Sequence, residues 1–366
     1  MSRFLGLGNG QGGVIDLSSY TQTWYSCSGS EASHDLTVTG TFSPGDRVFI
    51  HQSRGGSNVG KYEDNTVASY TSGTLTLVHP LENDYTDSGA EQAQIAVVKE
   101  ASKVTGTYTF PAWDGNIGGI FVIACNGEFS GVANGTGKGF RGGVGRSNVG
   151  NVWGYCGEGT AGPSEIKTSE AANGNGAGSS KSGSDPNHSN GGSGGSNGTS
   201  GTFGENYSDS PLGEPGDIVG DDEFSVINMG GAGSGGVKYG TPAATAGGNG
   251  GGIIVVYTQK FSDTASLISD ATNGVNSGQY AACGGGGAGG SILIKVPEIS
   301  IGLNLVYALG KIGGRAIPPA DVANDGGDGG NGRIRIESCS VSGTTSPTAS
   351  QSLGGHDYCS SGVLIY

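Results

Sequence analysis

The chain has 366 residues, 76 of them glycine, and a formal charge of −14 from 18 Lys and Arg against 32 Asp and Glu. That balance repels a phosphate backbone, and no basic stripe with interleaved aromatics appears, so nucleic acid is excluded as a partner. No apolar run is long enough to cross a membrane as a helix, so no membrane insertion is expected.

Glycine is present at about three times its usual share of roughly 7%. Each glycine inside an element costs about 0.5–1 kcal/mol relative to alanine, a cost that a disordered chain avoids. However, the aliphatic runs, 14 tyrosines, 10 phenylalanines and three tryptophans are too apolar for a solvated tail. The composition therefore predicts ordered β structure, with glycine where backbones approach closely or need positive φ. Polyglycine-type helices packed side by side are one form of this.

In chain order, residues 1–10 carry one basic residue and no apolar core of signal-peptide length, so no signal peptide is expected. Residues 1–110 read as a separate module. Val14–Leu17, Leu36–Thr39, Arg47–His51, Thr74–Val78 and Ile95–Val98 are short β-branched or alternating runs. Turn signals at Pro44-Gly45-Asp46 and Ser72-Gly73 punctuate them, which predicts an antiparallel β-barrel or sandwich. Thr105 to Trp113 reads as the strand leading out.

Residues 111–366 form a glycine-rich repeat domain. A glycine run precedes an apolar strand at Ile120, Ile253, Ile292 and Ile334; the last three are spaced by 39 and 42 residues. A period of that size suggests stacked supersecondary units. After each strand come a polar turn, a second, weaker strand and more glycine. An insertion at about 144–246 interrupts the pattern. Its centre, Asn173–Ser200, is nearly all Gly, Ser, Asn and Asp, and reads either as a flexible linker or as an exposed loop that meets a partner. No amphipathic helix is evident. The predicted class is all-β: an N-terminal antiparallel β-barrel or sandwich, then a glycine-rich stacked-strand domain, β-helix-like or polyglycine-rich.

Catalytic motifs are absent. Gly135–Gly139 resembles a phosphate loop but lacks the hydroxyl residue after Lys138 and has Val132 where the first glycine belongs. The glycines of residues 6–13 precede no βαβ unit. The six cysteines include no CxxC pair, so zinc spacing is missing. Cys125 and Cys339 follow apolar strands as buried thiols do, with a Cys339–Cys359 pair the open alternative. Neither a nucleophile elbow nor a carboxylate pair of glycosidase type is apparent.

Two groups of candidates remain. Asp217, Asp221 and Asp222 crowd one acidic loop, and Asp325 and Asp328 sit among glycines; such carboxylates either hold calcium, the one cofactor considered, or are solvated turn residues. Trp153, Tyr155, Phe203, Tyr207, Phe224, Tyr239 and Tyr280 punctuate glycine- and serine-rich segments. An aromatic in such a setting either anchors the segment or stacks on a sugar or protein partner.

Several segments carry a family resemblance along nearly the whole chain: Phe4–Val14, Trp24–Gly29, Gly45–Gly55, Pro111–Gly115, Gly137–Gly143, Gly285–Ile292 and Gly332–Glu337. In that order they resemble a family of glycine-rich virion or tail (adhesin-like) proteins of tailed phages, also encoded at bacterial surface or prophage loci. The resemblance implies a non-enzymatic structural protein on the virion surface, a tail fibre or tip adhesin that binds the host surface non-covalently. Its expected partners are itself, as a homo-oligomer such as a trimer that buries open edges, other virion proteins, and a host surface glycan or protein. The alternatives are a capsid decoration or filament-forming subunit, and a carbohydrate-cleaving spike.

Overall fold

The computed structural model describes residues 6–148, 150, 152–182, 189–205, 212–240, 243–278, 281–302, 305–316, 324–354 and 359. Among these the fold is all-β, with a single 3₁₀ turn at Leu17–Ser19.

Six antiparallel strands close into a barrel in the order Trp24–Ser28, Asp35–Val38, Thr74–Leu77, Tyr62–Thr71, Arg47–Arg54 and Gln92–Val97. The alternation of Arg47–Arg54 places Val48 and Ile50 in the barrel interior, with Leu36, Leu75 and Ile95. Phe49 points the other way, into a second apolar cluster. Tyr62–Thr71 has no apolar signature because its buried polar residues are individually bonded. Asp64 meets Arg47 at 2.6 Å, Glu63 accepts the Glu82 N–H, and Asn65 donates to the His79 carbonyl.

The strands after the glycine runs build one long, mostly parallel sheet. Its path runs through Val14–Asp16, Lys99–Thr105, Ile120–Phe129, Ile253–Phe261, Ser291–Lys295, Arg333–Ser338 and Ser350–Leu353. Equivalent repeats pair in register: Ile120 with Ile253, Ile254 with Ile292, and Ile292 with Ile334. Both faces are covered, which explains the unbroken apolar runs. Ile254 and Val256 face one cluster with Phe121, Ile292 and Ile334; Ile253 and Val255 face the other, with Phe49, Trp113 and Phe224. The weaker second strands form a short parallel sheet, Thr107–Thr109, Val132–Asn134, Ser266–Ile268 and Val306–Tyr307.

The glycine runs themselves are columns of extended chain, hydrogen-bonded sideways in all directions. Residues 283–290 occupy the centre. Gly285 and Ala288 donate to Ser234 and Gly231, Gly286 and Gly289 to Gly327 and Gly330, and Gly287 and Gly290 to Thr272 and Ser269. The carbonyls of Cys283 and Gly286 accept from Gly192 and Gly195, those of Gly285 and Ala288 from Gly248 and Gly251, and those of Gly284 and Gly287 from Gly314 and Lys311. One column thus has six neighbours, and every third residue faces the same one. That is the three-residue turn of a polyproline II-type helix, here with its backbone groups satisfied by other columns rather than water. The glycines are required by proximity. A Cβ on Gly284, Gly287 or Gly290 would overlap the carbonyl oxygen of Ala246, Asn249 or Gly252.

The insertion belongs to this lattice. Asn173, Asn175, Ser189–Ser193, Ser196 and Asn197 are buried. Their side chains bond column carbonyls: Asn173 Nδ2 to Gly157 and Gly162, Asn175 Nδ2 to Met229, and Asn197 Nδ2 to Gly289. The described part of the segment is neither a linker nor an exposed loop. Its serines and asparagines supply bonds that a purely glycine chain lacks.

Barrel and lattice meet through buried polar groups. Glu158, fully buried, is held by Arg54 of the barrel and by Arg141 Nε at 2.8 Å. Arg47 lies over the Tyr257 ring at 4.6 Å. His51 contacts Ser53 Oγ at 2.8 Å and the Ile227 carbonyl at 2.9 Å, and burial pushes its pKa down to about 4. Cys125 is a buried thiol, whereas Cys339 is bonded to Cys359, the alternative of the two readings.

Two predictions follow from this packing. Gly287→Ala should lower stability by about 2–3 kcal/mol through overlap with a backbone carbonyl, whereas Gly278→Ala, with open space around it, should be nearly neutral; chemical denaturation measures both. His51 binds its proton less readily when folded (pKa about 4) than when unfolded (the ordinary 6.5). Its contribution is therefore complete above about pH 6.5 and is lost as pH falls toward 4. The difference in melting temperature between wild type and His51→Gln should shrink across that window.

Candidate functional site

Four columns converge at the end of the lattice remote from the long sheet. Residues 152–158 run beside 176–182, with Trp153 bridged to Lys181. Strand Arg146–Asn148 pairs in parallel with Val237–Tyr239, matching Asn148 to Tyr239. The Gly235 N–H donates to the Tyr155 carbonyl, and Arg146 Nη1 donates to the Trp153 carbonyl at 2.5 Å. Trp153, Tyr155 and Tyr239 are therefore held by adjoining columns, each half-buried. The Lys181 ammonium lies 5.4 Å from the Trp153 ring centroid, within cation–π range.

The other aromatic candidates lie elsewhere. Phe203 is exposed on the lattice flank beside Gly327. Phe224 is an anchor: its ring is buried against the long sheet with Phe49 and Trp113, and its carbonyl accepts the Tyr62 hydroxyl at 3.0 Å. Of the two readings of an aromatic in this setting, anchor or stacking surface for a partner, Phe224 takes the first, because its segment packs on the barrel joint. Tyr207 and Tyr280 lie outside the described residues.

The acidic candidates face arginines. Asp222 meets Arg333 at 2.6 Å, and neighbouring Glu223 meets Arg335 at 2.7 Å. Asp325 and Asp328 both turn to Arg315, at 3.6 and 2.8 Å. Asp221 binds within its own turn; burial alone would raise its pKa, but hydrogen bonds from Ser225 bring it below the usual carboxylate value. Asp217 is exposed. Among the described residues no three His, Cys, Asp or Glu side chains gather as a metal site.

A separate polar cleft of about 660 Å³ opens on the barrel, lined by Asp35, Asp84, Glu91, Gln52 and Asn58 among others. Two of its carboxylates serve the barrel itself. Asp84 Oδ1 accepts the Glu31 N–H at 2.8 Å, and Asp35 Oδ1 accepts the Thr76 hydroxyl at 2.8 Å.

Sequence reasoning missed Arg146 and Lys181. Each is a lone cation in a polar stretch, and only the pairing of columns carries it to Trp153.

No protein-family model matches the chain, and no curated protein matches it. Among solved structures the chain is similar to the Gp54 tailspike of Acinetobacter baumannii bacteriophage AP22, determined in complex with A. baumannii capsular saccharide. Identity is 11% and the TM-score 0.20, over 89% of this chain and 57% of the tailspike. The chain thus spans less than two thirds of that protein, and a likeness at this score carries no argument.

Because arginines already answer the carboxylates of Asp222, Asp325 and Asp328, adding calcium or a chelator should leave the melting temperature unchanged. Differential scanning calorimetry in millimolar calcium and in EDTA checks this.

Proposed function

We propose that the protein is a phage tail-associated adhesin that binds the host surface non-covalently through the end of its glycine lattice. The observation that carries this reading is the placement of Trp153, Tyr155 and Tyr239. The described columns of the bundle carry mostly glycine, alanine, serine and asparagine inside, yet its remote end holds three half-buried aromatics on cross-bonded columns. Aromatic rings bring contact area at low entropic cost, and a rigid mount keeps that cost low on binding. The resemblance of the sequence to glycine-rich phage virion proteins points the same way. In this reading the protein sits on the virion surface as a homo-oligomer, joins other virion proteins, and works without catalysis or a cofactor.

The test is binding of the purified, fluorescently tagged chain to intact bacteria. Wild type should bind a susceptible host, and Trp153→Ala/Tyr239→Ala should reduce binding at least about tenfold, a loss of about 1.4 kcal/mol, with an unchanged melting temperature. Equal binding by the double variant would remove the lattice end from the reading; no binding to a broad panel of hosts would remove the adhesin role.

A further inference from the structure

Charge distribution at the lattice end says more about the ligand than the aromatics do. The protein is acidic, and among the described residues all arginines but one are matched. Arg47, Arg54, Arg141, Arg315, Arg333 and Arg335 each stand within ion-pair distance of a carboxylate. Arg146 does not. Among the described residues its side chain's one polar contact is the Nη1 bond to the Trp153 carbonyl, which uses one of five N–H donors. Lys181 also faces no carboxylate among the described residues, and its contact is the Trp153 ring. Two cations on half-buried side chains therefore contact one residue, Lys181 at the Trp153 ring and Arg146 at its carbonyl, with no described acid within ion-pair distance of either.

This arrangement is unfavourable to leave idle. Arginine and lysine side chains carry substantial rotamer entropy, and both are held here by contacts that leave most of their donors unused. The chain as a whole has a net charge of −14, with 32 Asp and Glu. A pair of cations without them forms a local positive spot inside a negative field, which favours small anionic groups and repels extended polyanions. The half-buried indole and the nearby Tyr239 add flat apolar faces of the kind on which a sugar ring packs.

We propose that this end of the lattice takes an anionic saccharide, its carboxylate or phosphate held by Lys181 and Arg146 and its ring against Trp153. The assignment rests on the reading of the protein as a surface-recognition protein and names the ligand class of that same site. The guanidinium accepts a planar carboxylate or a phosphate through paired N–H donors, and the ammonium adds a point charge from the indole side. Neutral sugars would leave both cations uncompensated, so the site discriminates by charge.

The experiment uses the full chain and three immobilised probes: dextran bearing sparse single galacturonate groups for the carboxylate, dextran bearing sparse single mannose 6-phosphate groups for the phosphate, and unmodified dextran as the neutral control. Wild type should retain at least one anionic probe, more weakly as salt rises, and should not retain dextran. Lys181→Gln/Arg146→Gln should weaken that binding at least about tenfold, as expected for the loss of charge-assisted bonds. Lys181→Arg, which keeps the charge, should bind within a few-fold of wild type. Melting temperatures of all variants show that the lattice is intact. Equal retention by the double variant, or retention of dextran as strong as of the anionic probes, would overturn the assignment. So would wild-type protein that binds host cells but neither anionic probe, and in that case the adhesin reading stands. Wild-type protein that binds an anionic probe but no cells would instead remove the adhesin reading and leave the saccharide site.

Discussion

The rest of the structure depends on the sideways hydrogen bond between glycine columns. An extended three-residue helix satisfies none of its own backbone groups, so every buried N–H and C=O must find a neighbouring column. The column 283–290 does this with six partners, three accepting from it and three donating to it. Columns can approach that closely only where a Cβ is missing, which is why alanine would strike the Ala246, Asn249 and Gly252 carbonyls. The entropic cost of glycine is thus offset by a network in which each residue contributes two bonds. The long sheet serves as the base: its strands continue the columns and fix their register in an ordinary apolar core.

That base is joined to the barrel by groups that cannot be removed singly. Glu158 is fully buried between Arg54 and Arg141, and removing one partner of such a set leaves an uncompensated charge, at about 3–5 kcal/mol. Together with Arg47 over Tyr257 and His51 on Ile227, the joint specifies one orientation of barrel and lattice. The aromatic and cationic end is therefore mounted on a body whose barrel is fixed to the lattice through Glu158 and His51.

Much of the fold was legible because apolar strands announce themselves. The repeats at Ile253, Ile292 and Ile334 pair with one another, or with Ile120, along one sheet. Tyr62–Thr71 was not legible, since its buried Glu63, Asp64 and Asn65 are polar and only Glu82, Arg47 and His79 make sense of them. The Asn173–Ser200 stretch read as linker or loop because a side chain that bonds a distant carbonyl has the same composition as one that bonds water. At the candidate site, Trp153, Tyr155 and Tyr239 stood out as aromatics in a polar background. Phe224 stood out equally and is core. Arg146 and Lys181 carried no signal, because what distinguishes them is the carboxylate they do not face.

The three-residue turn of the columns also acts as a frame. Adding or deleting three residues lengthens or shortens a column by about 9 Å and leaves every later donor aimed at its old neighbour. Adding one or two rotates everything downstream by a third or two thirds of a turn, so that each residue, with any side chain it carries, faces a different neighbour. Length variation among proteins built this way should therefore come in threes within the columns and be unrestricted in the turns between them. Such a chain can change its tip freely while its shaft accepts only whole steps.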